Sequence, residues 1–368
     1  MRSNPPPYQY DVMGSILRPE YLKQARADFQ SGKITREELT ALEDKAIREL
    51  IEKLVAHGYH VITDGEYRRG WYHSDFLASL NGVKFTTYTM NLFGSDTLVG
   101  STTIVDRITW NENHPFIDHF KFAKSVADQY GVATKLDIPG PNMVFLDTIT
   151  TDQENQYGKD IQALSADFIQ VYQAAIRSFY DAGCRYLQLD DPVWVALCDN
   201  GFKAKIRGAG FDVDEVRQVF YQTAKAILAA KPEDMAITLH MCQGNLRSKK
   251  FYDATYDEIA DTIFSLPFDG FFIEFDDEKY CDFKLLKKLR GQRVALGVVS
   301  TRSSELEDKD VLVARVRRAA EYCPAEQLCV STQCGFASTA EGNLITEEAQ
   351  WKKLDLVRDV AREALGAD

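Results

Sequence analysis

Short apolar runs alternate with longer amphipathic segments along most of the chain. In residues 36–58 a leucine or alanine recurs every three or four positions, and Gly58 follows the last of them. This spacing places the apolar side chains near one face of a helix that ends at the glycine. Residues 60–66 and 186–192 are shorter, and their length and apolar character favour strands.

The same alternation continues to the end of the chain. Strands are predicted at residues 10–15, 60–66, 134–139, 186–192, 235–242, 270–276, 294–300 and 327–334. Helices are predicted at residues 36–58, 116–130, 160–182, 214–230, 256–265, 283–289, 310–322 and 347–364. Strands that alternate with helices predict a parallel sheet covered by helices, and their number predicts a (β/α)8 TIM barrel of the α/β class. We expect residues 1–368 to form a single catalytic barrel, with an elaborated insertion at about 82–133 in which 101–110 has strand character.

Composition and charge argue against several classes of function. The formal net charge is −12, and no Lys/Arg cluster is longer than residues 247–250, so a nucleic-acid partner is not expected. No apolar run approaches the roughly 20 residues of a membrane span, and residues 1–15 do not resemble a signal peptide. The seven cysteines are odd in number and scattered, which favours free thiols or metal ligands in a reducing cytoplasm.

Metal-binding residue types collect where three predicted strands end, which is where barrel enzymes carry their chemistry. His240 and Cys242 lie two positions apart, so their side chains point the same way, and Glu274 and Cys334 follow on nearby strands. One nitrogen, two thiolates and one carboxylate suit Zn²⁺. Taken singly, each residue also fits a plainer role as a hydrogen-bonded histidine, a small apolar cysteine or a helix-capping acid.

The motifs at these strand ends form a recognisable series. The chain resembles the catalytic barrel of cobalamin-independent methionine synthase, in family order and over essentially its whole length. The resemblance rests on MGS at 13–15, DGE at 64–66, PGP at 139–141, LQLDDP at 187–192, LHMCQGN at 239–245, IEFDD at 273–277 and STQCG at 331–335. It implies a (β/α)8 barrel that transfers a methyl group from methyltetrahydrofolate to the zinc-bound thiol of homocysteine. It also implies that the zinc ligands are His240, Cys242, Glu274 and Cys334.

The resemblance further assigns the substrate contacts. Glu66 and Asp190 match the residues that grip the homocysteine amino group, and Gly14 with Ser15 matches the backbone that meets its carboxylate. Charge agrees, because an ammonium group is well served by carboxylates and a carboxylate by backbone N–H groups. The plainer alternatives are a salt bridge from Glu66 to a neighbouring arginine and a turn cap for Asp190.

Two features depart from the family. The chain has room for one barrel, whereas the folate-dependent enzymes carry two. The family also has Asp-x-His-Ser after strand seven, and here Arg302 stands where that proton-handling histidine is expected. Arginine stays protonated and suits an anion instead, so we place Arg302, with Asp190, in the catalytic machinery. The alternative is a surface ion pair between Arg302 and Glu305.

Three aromatic residues follow the strand-end motifs. Trp71, Phe145 and Trp194 come after DGE, PGP and LDDP. We interpret them as cofactor-binding rings that stack on a pterin, with simple packing at the rim as the alternative.

The leading hypothesis is a zinc-dependent methyltransferase that converts homocysteine to methionine, using methyltetrahydrofolate or another methyl carrier. Its nearest alternative is a zinc-dependent alkyltransferase that acts on a different small thiol or takes methyl from a corrinoid protein. A uroporphyrinogen-decarboxylase-like enzyme would leave the zinc residues unexplained, and a barrel that only sequesters zinc would leave Glu66 and Asp190 without a role. The oligomeric state stays open, a homo-oligomer included.

Overall fold

The computed structural model describes residues 6–92, 95–145 and 155–368. The strands in chain order are β1 Val61–Ile62, β2 Asn81–Leu92, β3 Ser95–Thr109, β4 Ala133–Thr134, β5 Leu136–Pro139, β6 Tyr186–Asp190, β7 Ala236–Met241, β8 Gly270–Glu274, β9 Arg293–Val299 and β10 Leu328–Thr332. The helices are α1 Glu20–Gln30, α2 Arg36–Ala56, α3 Ser74–Leu77, α4 Pro115–Tyr130, α5 Ile161–Asp181, α6 Val193–Ala196, α7 Asn200–Gly208, α8 Val213–Leu228, α9 Ala260–Phe264, α10 Lys309–Ala319 and α11 Glu347–Leu365. None of these helices has the length and apolar character needed to cross a bilayer.

Parallel strands enclose the core in the arrangement of the predicted barrel. Strands β5 to β10 form one parallel sheet in chain order, and β1 pairs in parallel with β4. Lys135 lies between β4 and β5 and donates its backbone N–H to the Ile62 carbonyl of β1 at 2.9 Å. Strands β4 and β5 therefore act together as one barrel strand. Tyr10 bridges Val330 in parallel at the other edge of the sheet. The predicted α/β class and barrel are therefore confirmed.

The N-terminal strands are shorter than predicted. Within residues 10–15 only Tyr10 makes a ladder bridge, and the predicted strand 60–66 is reduced to β1. Gly65 and Glu66 take φ angles of 67° and 60°, and this left-handed backbone ends the extended conformation. The turn that stops the strand is also what brings Glu66 over the barrel mouth.

Most predicted helices form within a few residues of their expected bounds. In α2, Thr35 and Glu38 form a reciprocal capping box at the start. The predicted helix at 256–265 is shorter, because Tyr256 turns inward to donate to the Met241 carbonyl, and helix α9 starts only at Ala260. The predicted helix at 283–289 is a 3₁₀ helix over Phe283–Lys288 rather than an α-helix, and helix α1 was not predicted.

The region expected as an insertion at 82–133 has two parts. Strands β2 and β3 pair as a long antiparallel hairpin, which confirms the strand character of 101–110. Helix α4 lies between β1 and β4 along the chain, in the place of an ordinary barrel helix. The elaboration is therefore the hairpin.

A fully buried ion pair ties the N-terminal segment to the barrel strands beside it. Lys135 donates to the Asp11 carboxylate at 3.0 Å, to Gln188 at 2.9 Å and to the Val12 carbonyl. Neither Lys135 nor Asp11 exposes any side-chain surface. A buried pair of this kind is tolerated when hydrogen bonds satisfy both partners, and removing one partner leaves an uncompensated charge.

We expect Asp11→Ala to lower the free energy of unfolding by about 3–5 kcal/mol, because it strands the Lys135 ammonium in the core. Urea unfolding followed by circular dichroism measures the change. The matched control is Glu348→Ala, which breaks the exposed pair with Lys352 and should change stability far less. An equal effect of both variants would contradict the role assigned to the buried pair.

Candidate active site

A histidine and two cysteines meet at the carboxyl ends of the strands. Their ligand atoms, from His240, Cys242 and Cys334, all lie within 4.8 Å of one another, and all three side chains are buried. The two sulfur atoms are 3.5 Å apart. The predicted convergence of strands β7 and β10 on one centre is thus observed for three of the four residues assigned to the metal.

The histidine is oriented for metal binding. Nδ1 of His240 lies 3.4 Å from the Phe272 carbonyl, which can only accept, so Nδ1 carries the proton. Among the described residues the buried Nε2 has no hydrogen-bond partner. A ring held through one nitrogen, with the other left open, is the usual arrangement of a metal-binding histidine.

The sulfur pair favours a cation. The contact with Cys242 lowers the pKa of the Cys334 thiol well below its usual range despite burial, and the attraction of His240 adds to this. The same contact, together with burial, raises the pKa of Cys242. The backbone N–H of Gly244 donates to Cys242 Sγ at 3.0 Å. A soft donor set with thiolate character suits a borderline-soft divalent ion.

Glu274 is hydrogen-bonded to groups other than the histidine and the two cysteines. One of its carboxylate oxygens accepts the Gln243 N–H at 2.9 Å, and the other accepts from Arg302 at 2.8 Å. Arg302 also pairs with Asp276 at 3.1 Å and donates to the Gly244 carbonyl. Arg302 is therefore not the surface residue paired with Glu305 that the alternative described, but part of a partly buried ion network beside the sulfur pair.

The residues expected to bind an amino acid form a second cluster. Carboxylate oxygens of Glu66, Asp137 and Asp190 lie within 4.8 Å of one another, and all three residues are buried. Arg69 lies 3.2 Å from Asp137 and 3.7 Å from Glu66. Burial raises the pKa of Asp190 to about 7, with His240 and Asp137 acting in opposite directions. Glu66 thus both contacts an arginine and faces the cavity. Asp191, rather than Asp190, accepts the backbone N–H of Asn142 in the turn after β5.

Gly14 and Ser15 pass close to both clusters. Gly14 has a φ of 155°, and a Cβ there would lie 3.2 Å from Glu66 and 3.3 Å from Asp137, so the backbone approaches the carboxylates closely. Ser15 Oγ accepts the Ala337 N–H at 3.1 Å in the loop after Cys334. The N-terminal segment therefore contacts both the carboxylate cluster and the loop that follows Cys334.

One cavity of about 720 Å³ connects the two clusters. Its wall includes the three ligand residues, Glu66, Asp190 and Ser15. On another side it is formed by Trp71 and by Val99 and Gly100 of β3. A Cβ on Gly100 would lie 2.6 Å from the Trp71 indole, so the hairpin packs directly on that ring. Of the aromatic residues assigned to a cofactor, Trp71 is thus placed at the cavity.

The structure does not bring Phe145 and Trp194 to the cavity. Both are at most 1% exposed, and both pack against Phe220 of helix α8. They sit behind the strands because the short segments after β5 and β6 turn their rings outward to the helical layer. Sequence reasoning missed Asp137, although a lone acid within the apolar run Leu136–Pro139 was a usable signal.

Fold and site together define a barrel enzyme whose chemistry lies at the strand carboxyl ends. The family model described as the catalytic domain of cobalamin-independent synthase matches residues 11–363, and the chain belongs to this family. It is a methyltransferase of the cobalamin-independent type.

Several known proteins are similar over nearly the whole chain. The Bacillus subtilis protein YxjG is 39% identical, covering 97% of this chain and 95% of its own. A candidate vitamin-B12-independent methionine synthase from Listeria monocytogenes is 35% identical with a TM-score of 0.78, covering 97% and 98%. A B12-independent methionine synthase from a Shewanella species, solved with selenomethionine, is 19% identical with a TM-score of 0.74, covers 96% of each chain and supports the fold.

We expect Cys242→Ser and Cys334→Ser each to lose most bound transition metal, because each removes one of two sulfur donors from a three-residue centre. Metal content after dialysis, measured by mass spectrometry, tests this. Cys323→Ser is the matched control, since this cysteine lies outside the cavity wall. Full metal retention by both site variants would contradict the assignment.

Proposed function

We propose that this protein is a zinc-dependent methyltransferase that transfers a methyl group to the thiol of homocysteine and so forms methionine. The observation that carries the proposal is a single cavity lined by both His240 with the sulfur pair and Glu66 with Asp190. The first cluster suits a thiol, and the second suits an ammonium group. Homocysteine carries both groups a few bonds apart.

Each end of the substrate has a matching partner in this arrangement. Glu66 and Asp190 accept hydrogen bonds from the α-ammonium, and the Gly14–Ser15 backbone lies against the same carboxylates, where it meets the α-carboxylate. The Shewanella protein was solved with selenomethionine, the selenium counterpart of the methylated product. That observation supports the proposal that the cavity of this chain binds an amino acid.

His240, Cys242 and Cys334 would hold the zinc ion, and its Lewis acidity would keep a substrate thiol in the thiolate form. The substrate sulfur then attacks the methyl carbon in line. The S–C bond forms as the bond between carbon and the donor's leaving atom breaks, and the electron pair stays with that atom. Alignment in the cavity supplies the proximity that such a displacement needs.

Arg302 and Glu274 act beside the sulfur pair. Arg302 balances Glu274 and Asp276, so we assign it a positioning role toward the fourth proposed ligand, Glu274. The aromatic wall at Trp71 is the side proposed for the methyl donor, either methyltetrahydrofolate or another methyl carrier. We further propose that the whole chain acts as one catalytic domain.

The zinc-loaded protein tests this directly. X-ray absorption at the zinc edge should show one additional sulfur ligand when homocysteine is added, and methyl donors can then be compared by methionine formation. If another thiol enters the zinc shell and homocysteine does not, the chain is an alkyltransferase for that thiol. A protein that binds no zinc would overturn the proposal.

We expect Glu66→Gln to raise the KM for homocysteine by about 10-fold or more, because a charged hydrogen bond to the substrate is worth about 1.5–3 kcal/mol. Steady-state methionine formation measures the change. Zinc content should stay unchanged in this variant, since Glu66 is not among the residues proposed to hold the metal. An unaltered KM would remove Glu66 from the amino-group site.

A further inference from the structure

The two sulfur donors come from strands that are not neighbours. Strands β8 and β9 separate β7 from β10, so the ends of β7 and β10 lie three strand spacings apart, roughly 14 Å on a flat sheet. Cys242 and Cys334 nevertheless bring their sulfur atoms to 3.5 Å. The curvature of the barrel closes part of this distance, and the loops that follow the strands close the rest. Contacts between those loops therefore decide how far apart the sulfur atoms lie.

Thr301, the second residue after strand β9, lies between the two loops. Its hydroxyl donates to the Gly335 carbonyl at 3.1 Å and accepts from the Asn245 side-chain amide at 3.0 Å. Asn245 belongs to the loop that begins with Cys242, and Gly335 directly follows Cys334. One hydroxyl is thus bonded to both loops that carry a sulfur donor.

Two further amide side chains fix Thr301 itself. Gln333, the residue before Cys334, accepts the Thr301 N–H and donates to the Thr301 hydroxyl at 3.1 Å. Asn343 donates to the Thr301 carbonyl at 2.9 Å and accepts the Ser248 N–H at 3.0 Å. The N–H, the carbonyl and the hydroxyl of Thr301 are therefore all bonded to the loops after β7 and β10 or to the amides that join them.

The network requires a hydroxyl at this position. Thr301 and Gln333 are fully buried, so water does not replace a lost partner. A hydroxyl has one proton to donate and two lone pairs that accept, which serves the carbonyl on one side and the amides on the other. A methyl group of the same size serves neither, and it leaves buried polar groups unpaired.

We propose that Thr301 is a positioning residue of the metal centre, which joins the loops of Cys242 and Cys334 so that both sulfur atoms reach one ion. Thr301 is not part of the cavity wall, so its effect passes through these loops rather than through contact with substrate. Groups that orient metal ligands in this way commonly change metal affinity when they are removed. The identity of the ion, zinc, rests on the proposed function, whereas the hydrogen bonds between the loops do not.

Thr301→Val tests the proposal, because it removes the hydroxyl and keeps the shape of the side chain. We expect it to weaken zinc binding by about 10-fold or more, whereas Thr301→Ser should stay within about 3-fold of wild type. Competition with a chromophoric chelator measures the affinity without substrate. In the protein loaded with Co²⁺ instead of zinc, the sulfur-to-metal charge-transfer band should weaken or shift in Thr301→Val and be kept in Thr301→Ser.

Thr223→Val is the matched control. Thr223 is also fully buried, and its hydroxyl is bonded to Ser165 and to the Val219 carbonyl between helices α5 and α8. This variant should keep the zinc affinity and the cobalt band even where it lowers the stability of the fold. If Thr301→Val does not fold, Asn343→Ala removes an amide that holds Thr301 and should weaken zinc binding in the same direction.

The outcomes separate this proposal from the proposed function. Wild-type affinity with an unchanged band in whichever of Thr301→Val and Asn343→Ala folds would overturn the role of Thr301, as would an equal loss in Thr223→Val. A wild-type protein that binds neither zinc nor cobalt overturns both proposals. If the wild type binds zinc, Thr301→Val binds it more weakly and homocysteine is not methylated, the proposed function fails and the role of Thr301 stands.

Discussion

The register of the parallel strands is the constraint on which the site depends. Asp190 lies opposite His240, and Glu274 lies opposite Gly297, so adjacent strands end at one level. A Cβ at Gly297 would lie 2.6 Å from the Gln333 Cα and 3.0 Å from the Ile273 carbonyl, so glycine permits the close approach of β8, β9 and β10. A small shift of any of these strands would separate the sulfur pair from Glu274 and its arginine.

The rim concentrates groups that are unfavourable to bury, and the barrel below stabilises them. Glu66 is buried and takes a left-handed backbone conformation that a non-glycine residue seldom adopts. Hydrogen bonds from neighbouring residues stabilise this conformation. Arg18 donates to the Glu66 carbonyl at 2.6 Å, and Asp64 accepts the Glu66 N–H at 2.9 Å. Local departures from stable geometry are common at functional sites, where the surrounding fold supports them.

The sequence predicted the structural features that follow from the periodicity of apolar residues. It did not predict the side-chain positions that depend on the turns after the strands. Alternating apolar runs define the order of strands, and the two-residue spacing of His240 and Cys242 defines a shared direction. Beyond the last ladder residue no such rule applies. Phe145 and Trp194 follow their motifs as Trp71 does, yet only the Trp71 ring meets the cavity, because the backbone after β1 turns in the left-handed region. Asp137 was missed because a charged residue in a buried strand conflicts with the apolar pattern that identifies the strand.

Arg302 stands where the family resemblance leads us to expect a histidine, and this bears on the methyl donor that we propose. Arg302 is fixed by Glu274 and Asp276, and its guanidinium keeps its protons at ordinary pH. We therefore expect it to stabilise charge at this position without transferring a proton. A donor whose leaving atom departs with its electron pair and needs no proton is served by such a residue directly. A donor whose leaving atom is an amine nitrogen requires a proton from another group. The two proposed classes of methyl donor therefore differ in the leaving atom that the site must serve, and not in how tightly the thiol binds.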